Sequence, residues 1–443
     1  STYSLCPVNK NDWLIDADEI ELNLKKNRGY ADNATIKFYG VPIFYTPKHS
    51  WVLSGRGSGF LTPNYTTYYE PKETENDYSL RVPYYINLAP DRDLLIALSY
   101  MSSRGFIYEG KYRQLIAPKI SPDHQDSLYS IESKYLPQDE ITGLKRWLVD
   151  FSQEIDLSDK SHFSARYNRV SDPMYFEEIE RSNTNTDSLD SYLKYSFTDT
   201  KENLNASILA EDEQIVNSGK PGYTRALEGS ISKTFNSKNN NINKMSTQVS
   251  IESTRFKHAL PEKESGTRSY ANIGLSRQLN FTYPMVTPRA SVSFTNYSLE
   301  NSPDINRTIL GSGLNIDFTF INPSEVFGSG VSHRISPVIN YQYRAKKVQG
   351  NIPLFDSTDK YEDIISFSDL TSGERYTGLD RITNANDITL SLESSHRKNT
   401  ALEDEKDLLS LKIAQSYFTD DEVVSDSVNT NYEKRRSYSD IAA

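Results

Sequence analysis

Residues 54–63 read Ser54-Gly55-Arg56-Gly57-Ser58-Gly59-Phe60-Leu61-Thr62-Pro63, a glycine-rich joint between two stretches of β-type sequence. Before the joint lies a proline-framed apolar run, Val41-Pro42-Ile43-Phe44-Tyr45-Thr46-Pro47. After it, two neighbouring strand-like stretches each contain a proline, Pro63 and Pro83. Proline has no N–H to donate to a sheet ladder, so it is normally confined to edges and bulges. The two prolines therefore indicate either tolerated bulge positions or a seam in the sheet that can open.

Apolar and polar residues alternate strictly at many places in the chain after the joint. Examples are Leu193–Thr198, Ala290–Thr295, Leu314–Phe320, Ile339–Arg344, Ile388–Glu393 and Leu409–Ile413. A period of two places each apolar set on one face of a strand. At about 10 residues per strand plus connections, there is room for roughly 15 to 18 antiparallel strands. The pattern favours a membrane β-barrel, and several soluble β domains, a propeller or a solenoid remain as alternatives.

Composition narrows the class of protein further. Of 443 residues, 36% are apolar, yet 12% are aromatic and 30 are tyrosine, which argues against a disordered chain. The net charge is −11 and no long basic block occurs, so the sequence predicts no nucleic-acid partner. No run of 18 apolar residues is present, and this excludes a helical membrane span.

The sequence offers no catalytic constellation. The six histidines are scattered without metal-ligand spacing, and neither a P-loop, a dinucleotide fingerprint nor a Gly-x-Ser-x-Gly motif occurs. We therefore predict that the chain is not an enzyme and binds no cofactor or metal. Arg104, Glu109 and Arg113 lie on or beside an early strand pair, where they form either an inward-facing charge network or ordinary surface charge.

Cys6 is the only cysteine of the chain. It is either an inert buried thiol or one half of a disulfide whose partner lies outside this sequence. The N-terminus has no charged region followed by an apolar core, so no signal peptide is expected.

Several motifs occur in a distinctive order along the chain. They are Thr2–Pro7, Trp13, Val41–Pro47, Ser58–Asn64, Pro83–Asp93, Arg104-Gly105, Val170–Phe176 and Tyr376–Ile382. In this order the chain closely resembles the LPS-assembly protein LptD family, the organic solvent tolerance proteins of Gram-negative outer membranes. The resemblance covers essentially the whole sequence.

The resemblance implies an all-β chain with two domains. Residues 1–53 would be the C-terminal part of a periplasmic β-jellyroll, and residues 54–443 the N-terminal portion of a large antiparallel outer-membrane β-barrel. It also implies lipopolysaccharide transport and insertion into the outer leaflet. The expected partners are lipopolysaccharide, the plug lipoprotein LptE inside the barrel, the periplasmic bridge protein LptA and the lipid of the outer membrane.

The resemblance gives roles to particular residues. Pro63 and Pro83 match the prolines of the first two barrel strands, where missing donors would weaken a lateral gate. Gly55, Gly57 and Gly59 form the joint between jellyroll and barrel. Cys6 matches a cysteine that forms a disulfide with one near the C-terminus of the barrel.

This chain departs from the family pattern at both ends. It has no second cysteine and no recognisable terminal strand, and most of the jellyroll is missing at the front. We therefore expect an internal fragment with an incomplete barrel, which should not insert or function alone because unpaired sheet edges are not tolerated in lipid.

Two other functions fit the β pattern. A general outer-membrane porin would need neither the proline-framed run nor the proline-marked first strands. A secreted β-rich glycan-binding protein would remain soluble without detergent, so simple fractionation distinguishes it.

Overall fold

The structure is a computed structural model, and it describes most of the chain. The described residues are 1–4, 13–38, 40–68, 77–116, 127–181, 187–217, 219–237, 243–281, 284–324, 327, 330–358, 366–398, 406–420, 422–424, 431–433, 439 and 441–442. They form two compact units, one of residues 1–193 with 213–220 (unit 1) and one of residues 194–212 with 221–443 (unit 2).

Nearly all regular structure is β-strand. The first strands are β1 (Thr2–Tyr3), β2 (Trp13–Asp16), β3 (Glu19–Asn23), β4 (Arg28–Phe38) and β5 (Val41–Val52). They are followed by β6 (Gly59–Phe60), β7 (Asn64–Tyr68), β8 (Asp77–Ala89), β9 (Arg92–Met101), β10 (Gly105–Ile116), β11 (Ser127–Leu136), β12 (Arg146–Ser158), β13 (Ser161–Val170), β14 (Ser188–Asp199) and β15 (Leu204–Ile215). The remaining strands are β16 (Tyr223–Asn236), β17 (Asn243–His258), β18 (Gly266–Asn280), β19 (Met285–Leu299), β20 (Ile305–Asp317), β21 (Phe320–Pro323), β22 (Val331–Arg344), β23 (Ala385–Lys398), β24 (Lys406–Phe418), β25 (Glu422–Val424) and β26 (Asn431–Glu433). In the described part of the chain, a π-helical turn (Phe176–Glu180) and one short helix, α1 (Phe367–Ser372), interrupt the series.

Strands β1 to β5 form a separate five-stranded antiparallel sheet in unit 1. Its order is β1-β2-β4-β3, with β5 paired to β4. Small buried side chains, Ala17, Ala31 and Ala34, form its core. Gly29 of β4 lies against the Trp51 ring, where an added Cβ would come within 2.5 Å of the indole. The sheet ends at Val52, just before the domain boundary predicted at residues 53/54, and that boundary remains a prediction.

The rest of each unit is an antiparallel meander in which each strand pairs with the next. In unit 1 this holds from β8 to β13, with β6 and β7 both paired to β8. In unit 2 it holds from β16 to β20, and again from β22 to β24, with β20 and β21 both paired to β22. Sixteen of the described strands between β8 and β24 are 10 to 16 residues long, which agrees with the predicted number and length of strands. The prediction of an all-β antiparallel chain is confirmed.

The side chains of these strands are arranged with the apolar face outward. In unit 1, Ile96 and Leu98 of β9 are 44% and 43% exposed, whereas Ser99 is buried. In unit 2, Leu390 of β23 is 43% exposed, whereas Thr389 is only 6% exposed. A water-soluble protein buries most of its large apolar side chains, and extended exposed apolar surfaces mark contact with another apolar phase. The alternation predicted from sequence therefore corresponds to an apolar outer face and a polar inner face, as strands in lipid require.

Candidate functional site

The ladder between the end of the joint and β8 is interrupted close to the two predicted prolines. Phe60 of β6 pairs with Tyr84 of β8, and Asn64 of β7 pairs with Arg81. Three residues, 61–63, therefore lie opposite two residues of β8. This is the arrangement of a β-bulge, in which one residue is left without a ladder partner. Pro63 is the last residue of the interruption and directly precedes β7.

Pro83 lies in β8 opposite this interruption. Its carbonyl oxygen accepts a hydrogen bond from the Leu61 N–H at 3.0 Å. In an antiparallel hydrogen-bonded pair the two residues exchange two such bonds, and proline cannot return the second one. On its other side β8 pairs with β9 from Ser79 to Ala89. The structure thus brings the two prolines to the same break in the ladder and leaves the β6–β7 side of β8 held by fewer bonds than the β9 side.

The same geometry occurs at a second place in the chain. Pro337 of β22 accepts a hydrogen bond from the Phe318 N–H at 3.0 Å, at the break between β20 and β21. A proline opposite an interrupted strand is therefore not specific to the first strands. The special feature of Pro83 is its place beside the joint, and Pro337 provides a matched control for it.

At two of the three predicted glycines of the joint, the structure favours glycine over any residue with a side chain. Gly55 has φ +70°, a conformation that favours glycine. A Cβ on Gly57 would come within 2.1 Å of Val52 Cγ2, whereas a Cβ on Gly59 would meet nothing within 4 Å. The joint is also tied to β8 and β9: Arg56 donates to the Tyr85 hydroxyl and to Asp93 Oδ2, the latter at 2.6 Å.

Replacing Gly57 by alanine is expected to loosen the joint. The new methyl group would displace Val52, at a cost of about 1–3 kcal/mol for over-packing. Gly59→Ala is the matched control, with an expected change within about 0.5 kcal/mol because its site is open. The measurement is the temperature at which the N-terminal sheet becomes protease-sensitive in the full-length protein. Equal shifts for the two variants would contradict the steric role of Gly57.

Cys6, the predicted disulfide residue, lies outside the described residues. Its pairing therefore stays a prediction.

The early charged residues form ion pairs, with different partners for each. Arg104 is buried and donates to Asp139 at 2.6 Å. Glu109 accepts from Arg81 at 2.8 Å, and Arg113 bridges to Asp93 at 3.0 Å. All three residues are therefore engaged in ion pairs, of which the Arg104–Asp139 pair is the buried one. Whether they face inward stays a prediction.

Sequence reasoning missed the main feature of unit 2, which is the fixation of the long connection between β22 and β23. Arg268 of β18 is 1% exposed and binds two carboxylates of this connection. Its two terminal nitrogens donate to Asp356, each at 2.7 Å, and one of them also donates to Asp380 at 2.8 Å. Glu252 of β17 accepts from Arg268 at 2.9 Å. We call Arg268 with Asp356 and Asp380 the loop clamp.

The two aspartates of the loop clamp differ in protonation behaviour. Burial raises the pKa of Asp380, and the neighbouring Asp356 carboxylate raises it further against the opposing charge of Arg268. Burial also acts to raise the pKa of Asp356, but the hydrogen bonds and charge of Arg268 outweigh it and the pKa is lowered. Asp356 is therefore the firmly ionised partner of the arginine.

Aromatic and backbone contacts complete the fixation. Phe355 stacks on Phe256 of β17 with ring centroids 4.7 Å apart. Arg307 of β20 donates to Gln349 at 2.7 Å and to the Asp380 carbonyl at 2.8 Å. Gln349, Phe355, Asp356 and Asp380 are thus anchored to β17, β18 and β20. Helix α1 also lies in this connection.

A polar cavity of about 910 Å³ lies in unit 2, between strands β18, β19, β20 and β22 and the segment 371–382. Asn272, Ser291, Asn340 and Gln342 are among its lining residues. In the described part of the chain, no group of three or more histidine, cysteine, aspartate or glutamate residues is arranged to hold a metal ion. Across those same residues, no helix is long and apolar enough to cross a membrane.

The chain matches the family model "LPS transport system D" over residues 145–443, which is 299 of its 443 residues. It is similar to the LPS-assembly protein LptD of Pseudoalteromonas atlantica, with 26% identity over 96% of this chain and 54% of that protein. It is also similar to the LptD proteins of Neisseria gonorrhoeae (28% identity, 98% of this chain, 53% of that protein) and Methylococcus capsulatus (27%, 89% and 37%). The chain spans about half the length of the curated relatives it matches.

Among solved structures, the chain is similar to Pseudomonas aeruginosa OccD3 (OpdP), with a TM-score of 0.28 and 8% identity over 78% of this chain and 81% of that one. A likeness this weak carries no argument about function.

Proposed function

Because the chain belongs to the LptD family of the LPS transport system, we propose that it carries lipopolysaccharide to the outer leaflet of the outer membrane as part of a longer protein. The observation that carries this proposal is the apolar outer face and polar inner face of its strands. Acyl chains of a lipid can follow the apolar side while its saccharide follows the polar side, so one sheet serves both halves of an amphipathic cargo.

Family membership also bears on the class of protein. The chain is part of an outer-membrane β-barrel protein of a transport system, which confirms the predicted outer-membrane location and the prediction that it is not an enzyme. The periplasmic position of the N-terminal part stays a proposal. It disfavours the porin and secreted-protein alternatives, since the relatives are LPS-assembly proteins.

The N-terminal sheet is our candidate for the end of a periplasmic jellyroll. It is a separate antiparallel sheet, and the joint that follows it is fixed by Arg56 to Tyr85 of β8 and Asp93 of β9. A fixed joint would align a lipid-carrying jellyroll with the first barrel strands. In this proposal LptA delivers lipopolysaccharide to the jellyroll, and Cys6 pairs with a cysteine beyond this sequence.

The polar inner face is our candidate for contact with the plug lipoprotein LptE and with the saccharide of lipopolysaccharide. Polar and small side chains line it in unit 2. A hydrated plug or sugar can replace water on such a surface without burying unpaired polar groups.

The lateral gate is proposed to lie at the first barrel strands, β6, β7 and β8. Supporting this, residues 61–63 break the ladder and Pro83 can return no hydrogen bond to Leu61. Each missing bond removes about 0.5–1.5 kcal/mol of pairing. The neighbouring β8–β9 ladder is longer, so separation should begin on the β6–β7 side of β8.

Pro63→Ala combined with Pro83→Ala in the full-length protein is expected to slow lipopolysaccharide export. One restored bond of about 0.5–1.5 kcal/mol lowers the open population roughly two- to tenfold. The measurement is the rate at which labelled lipopolysaccharide reaches the surface of proteoliposomes containing the complete transport complex. Pro337→Ala is the control, because it restores a donor in the same local geometry away from the joint. An unchanged rate in the double variant, or an equal loss with Pro337→Ala, would remove the gate role of the two prolines.

A further inference from the structure

The polar cavity of unit 2 carries a positive charge that its own walls do not neutralise. Its charged lining residues are Arg289, Arg344 and Glu374. Arg344 and Glu374 form an ion pair at 2.5 Å, so their charges cancel. Arg289 instead donates to the amide oxygen of Asn340 at 2.7 Å, and no carboxylate of the described residues pairs with it. An uncompensated cation is notable in a chain whose net charge is −11.

The strands leave room around this arginine. Arg289 of β19 lies beside Ser276 of β18 on one side and Gly313 of β20 on the other. A Cβ on Gly313 would come within 3.9 Å of Arg289 Nε and 3.0 Å of the Tyr341 carbonyl oxygen, so a larger residue there would crowd the guanidinium. Gly274 lies two residues before Ser276 in β18 and therefore on the same face of that strand. Its surroundings are open, because an added Cβ would meet only Gln248, at 4.0 Å.

The remaining polar groups are suited to hydroxyl groups. Asn272, Asn340 and Gln342 provide amide donors and acceptors in the lining of the cavity. A volume of about 910 Å³ falls within the range of about 300–1,000 Å³ that ligand-binding pockets occupy. Guanidinium groups recognise phosphate and carboxylate by paired hydrogen bonds.

We propose that this cavity binds a saccharide carrying an anionic substituent, a phosphate or a carboxylate, with Arg289 holding the anion. The proposal rests on the proposed function, because it treats the cavity as a station on the path of the saccharide. It adds that the inner face selects acidic sugars at one defined arginine.

The test measures saccharide binding to the full-length protein in complex with its plug partner, in detergent. The probes are the phosphorylated core oligosaccharide released from lipopolysaccharide and the same oligosaccharide after enzymatic removal of its phosphates. We expect the wild type to bind the phosphorylated probe about tenfold more tightly, and Arg289→Gln to abolish that preference. Arg277→Gln is the matched control: it removes the same charge from the opposite face of β18 and should leave the preference intact.

A second variant tests the cavity while keeping Arg289, so the proposal can be tested even if Arg289→Gln does not fold. Gly274→Tyr should fill the open part of the cavity and weaken binding of both probes equally, without removing charge. Wild-type binding by Arg289→Gln, or by Gly274→Tyr, would overturn the proposal. So would the absence of binding to either probe by a wild-type complex that still exports lipopolysaccharide, a result that leaves the proposed function intact. If Arg289→Gln weakened only the association with the plug partner, the cavity would be a protein interface and the proposal would be wrong.

Discussion

Arg268→Met in the full-length protein is expected to release the connection between β22 and β23, at a cost of about 3–5 kcal/mol. The arginine is almost completely buried, and its loss would leave Asp356 and Asp380 without their cationic partner in a desolvated site. The free segment should then be cut within residues 349–384 by added protease, while the strands resist. The cleavage rate measures release of the connection. The loss of the folded, heat-modifiable form on gels measures the loss of stability of the whole protein.

Two controls separate the loop clamp from a general loss of charge. Arg255→Met removes an arginine whose ion pair with Glu300 is half exposed on both sides, and such pairs contribute about 0–1 kcal/mol. Adding Asp356→Asn and Asp380→Asn to Arg268→Met removes the unpaired carboxylates, and should recover a large part of the lost stability. If Arg268→Met resisted protease like the wild type, the connection would be held by its aromatic and backbone contacts instead.

The second large effect concerns the outer face of the strands. Ile273 lies at the middle of β18 and is 42% exposed, and Asn272 beside it faces the polar cavity. Ile273→Lys should destabilise the folded protein in lipid by about 2–4 kcal/mol, because a lysine near the bilayer midplane is poorly solvated. Asn272→Lys should cost far less, because the new charge meets water inside. The free energy of unfolding in lipid vesicles, obtained from denaturant titration, compares the two.

Both variants add the same side chain to neighbouring positions of the same strand, so they differ only in the face that carries the lysine. Equal and small losses of stability would mean that Ile273 faces water rather than lipid.

The sequence predicted the strands well because their pattern is local. A period of two over a run such as Ile388–Glu393 needs no distant information, and the exposed Leu390 beside the buried Thr389 follows from it. The glycine-rich joint was predictable for the same reason, although only Gly55 and Gly57 show a structural need for glycine.

Contacts between distant residues were not predictable in this way. The arginine of the loop clamp is 88 residues from Asp356 and 112 from Asp380 in sequence, and nothing in the local pattern around Arg268 marks it as buried. The motif containing Asp380 was noticed only through a family resemblance, without a role. Arg104, Glu109 and Arg113 were identified as candidates, but their partners, which include Asp139 and Asp93, depend on strand register and on the connection between β11 and β12.

The role of Pro63 and Pro83 was predictable in part from the sequence and depends in part on distant contacts. The absence of an N–H follows from the residue type alone, but its effect depends on which neighbour lies opposite. The structure places Leu61 there, within a bulge, and shows the same arrangement at Pro337. Position beside the joint, rather than proline content, is therefore what the gate proposal depends on.

The orientation of the strands is tested most directly by a nitroxide scan of β18 in the full-length protein reconstituted in lipid vesicles. Single labels at positions 270 to 277 are compared for their accessibility to oxygen, which concentrates in lipid, and to a water-soluble nickel chelate. We predict a period of two, with Ile273 and Leu275 accessible to oxygen and Asn272 and Gly274 accessible to the chelate. Uniform accessibility along the strand, or chelate access at Ile273 and Leu275, would contradict an apolar face in lipid and a polar face in water.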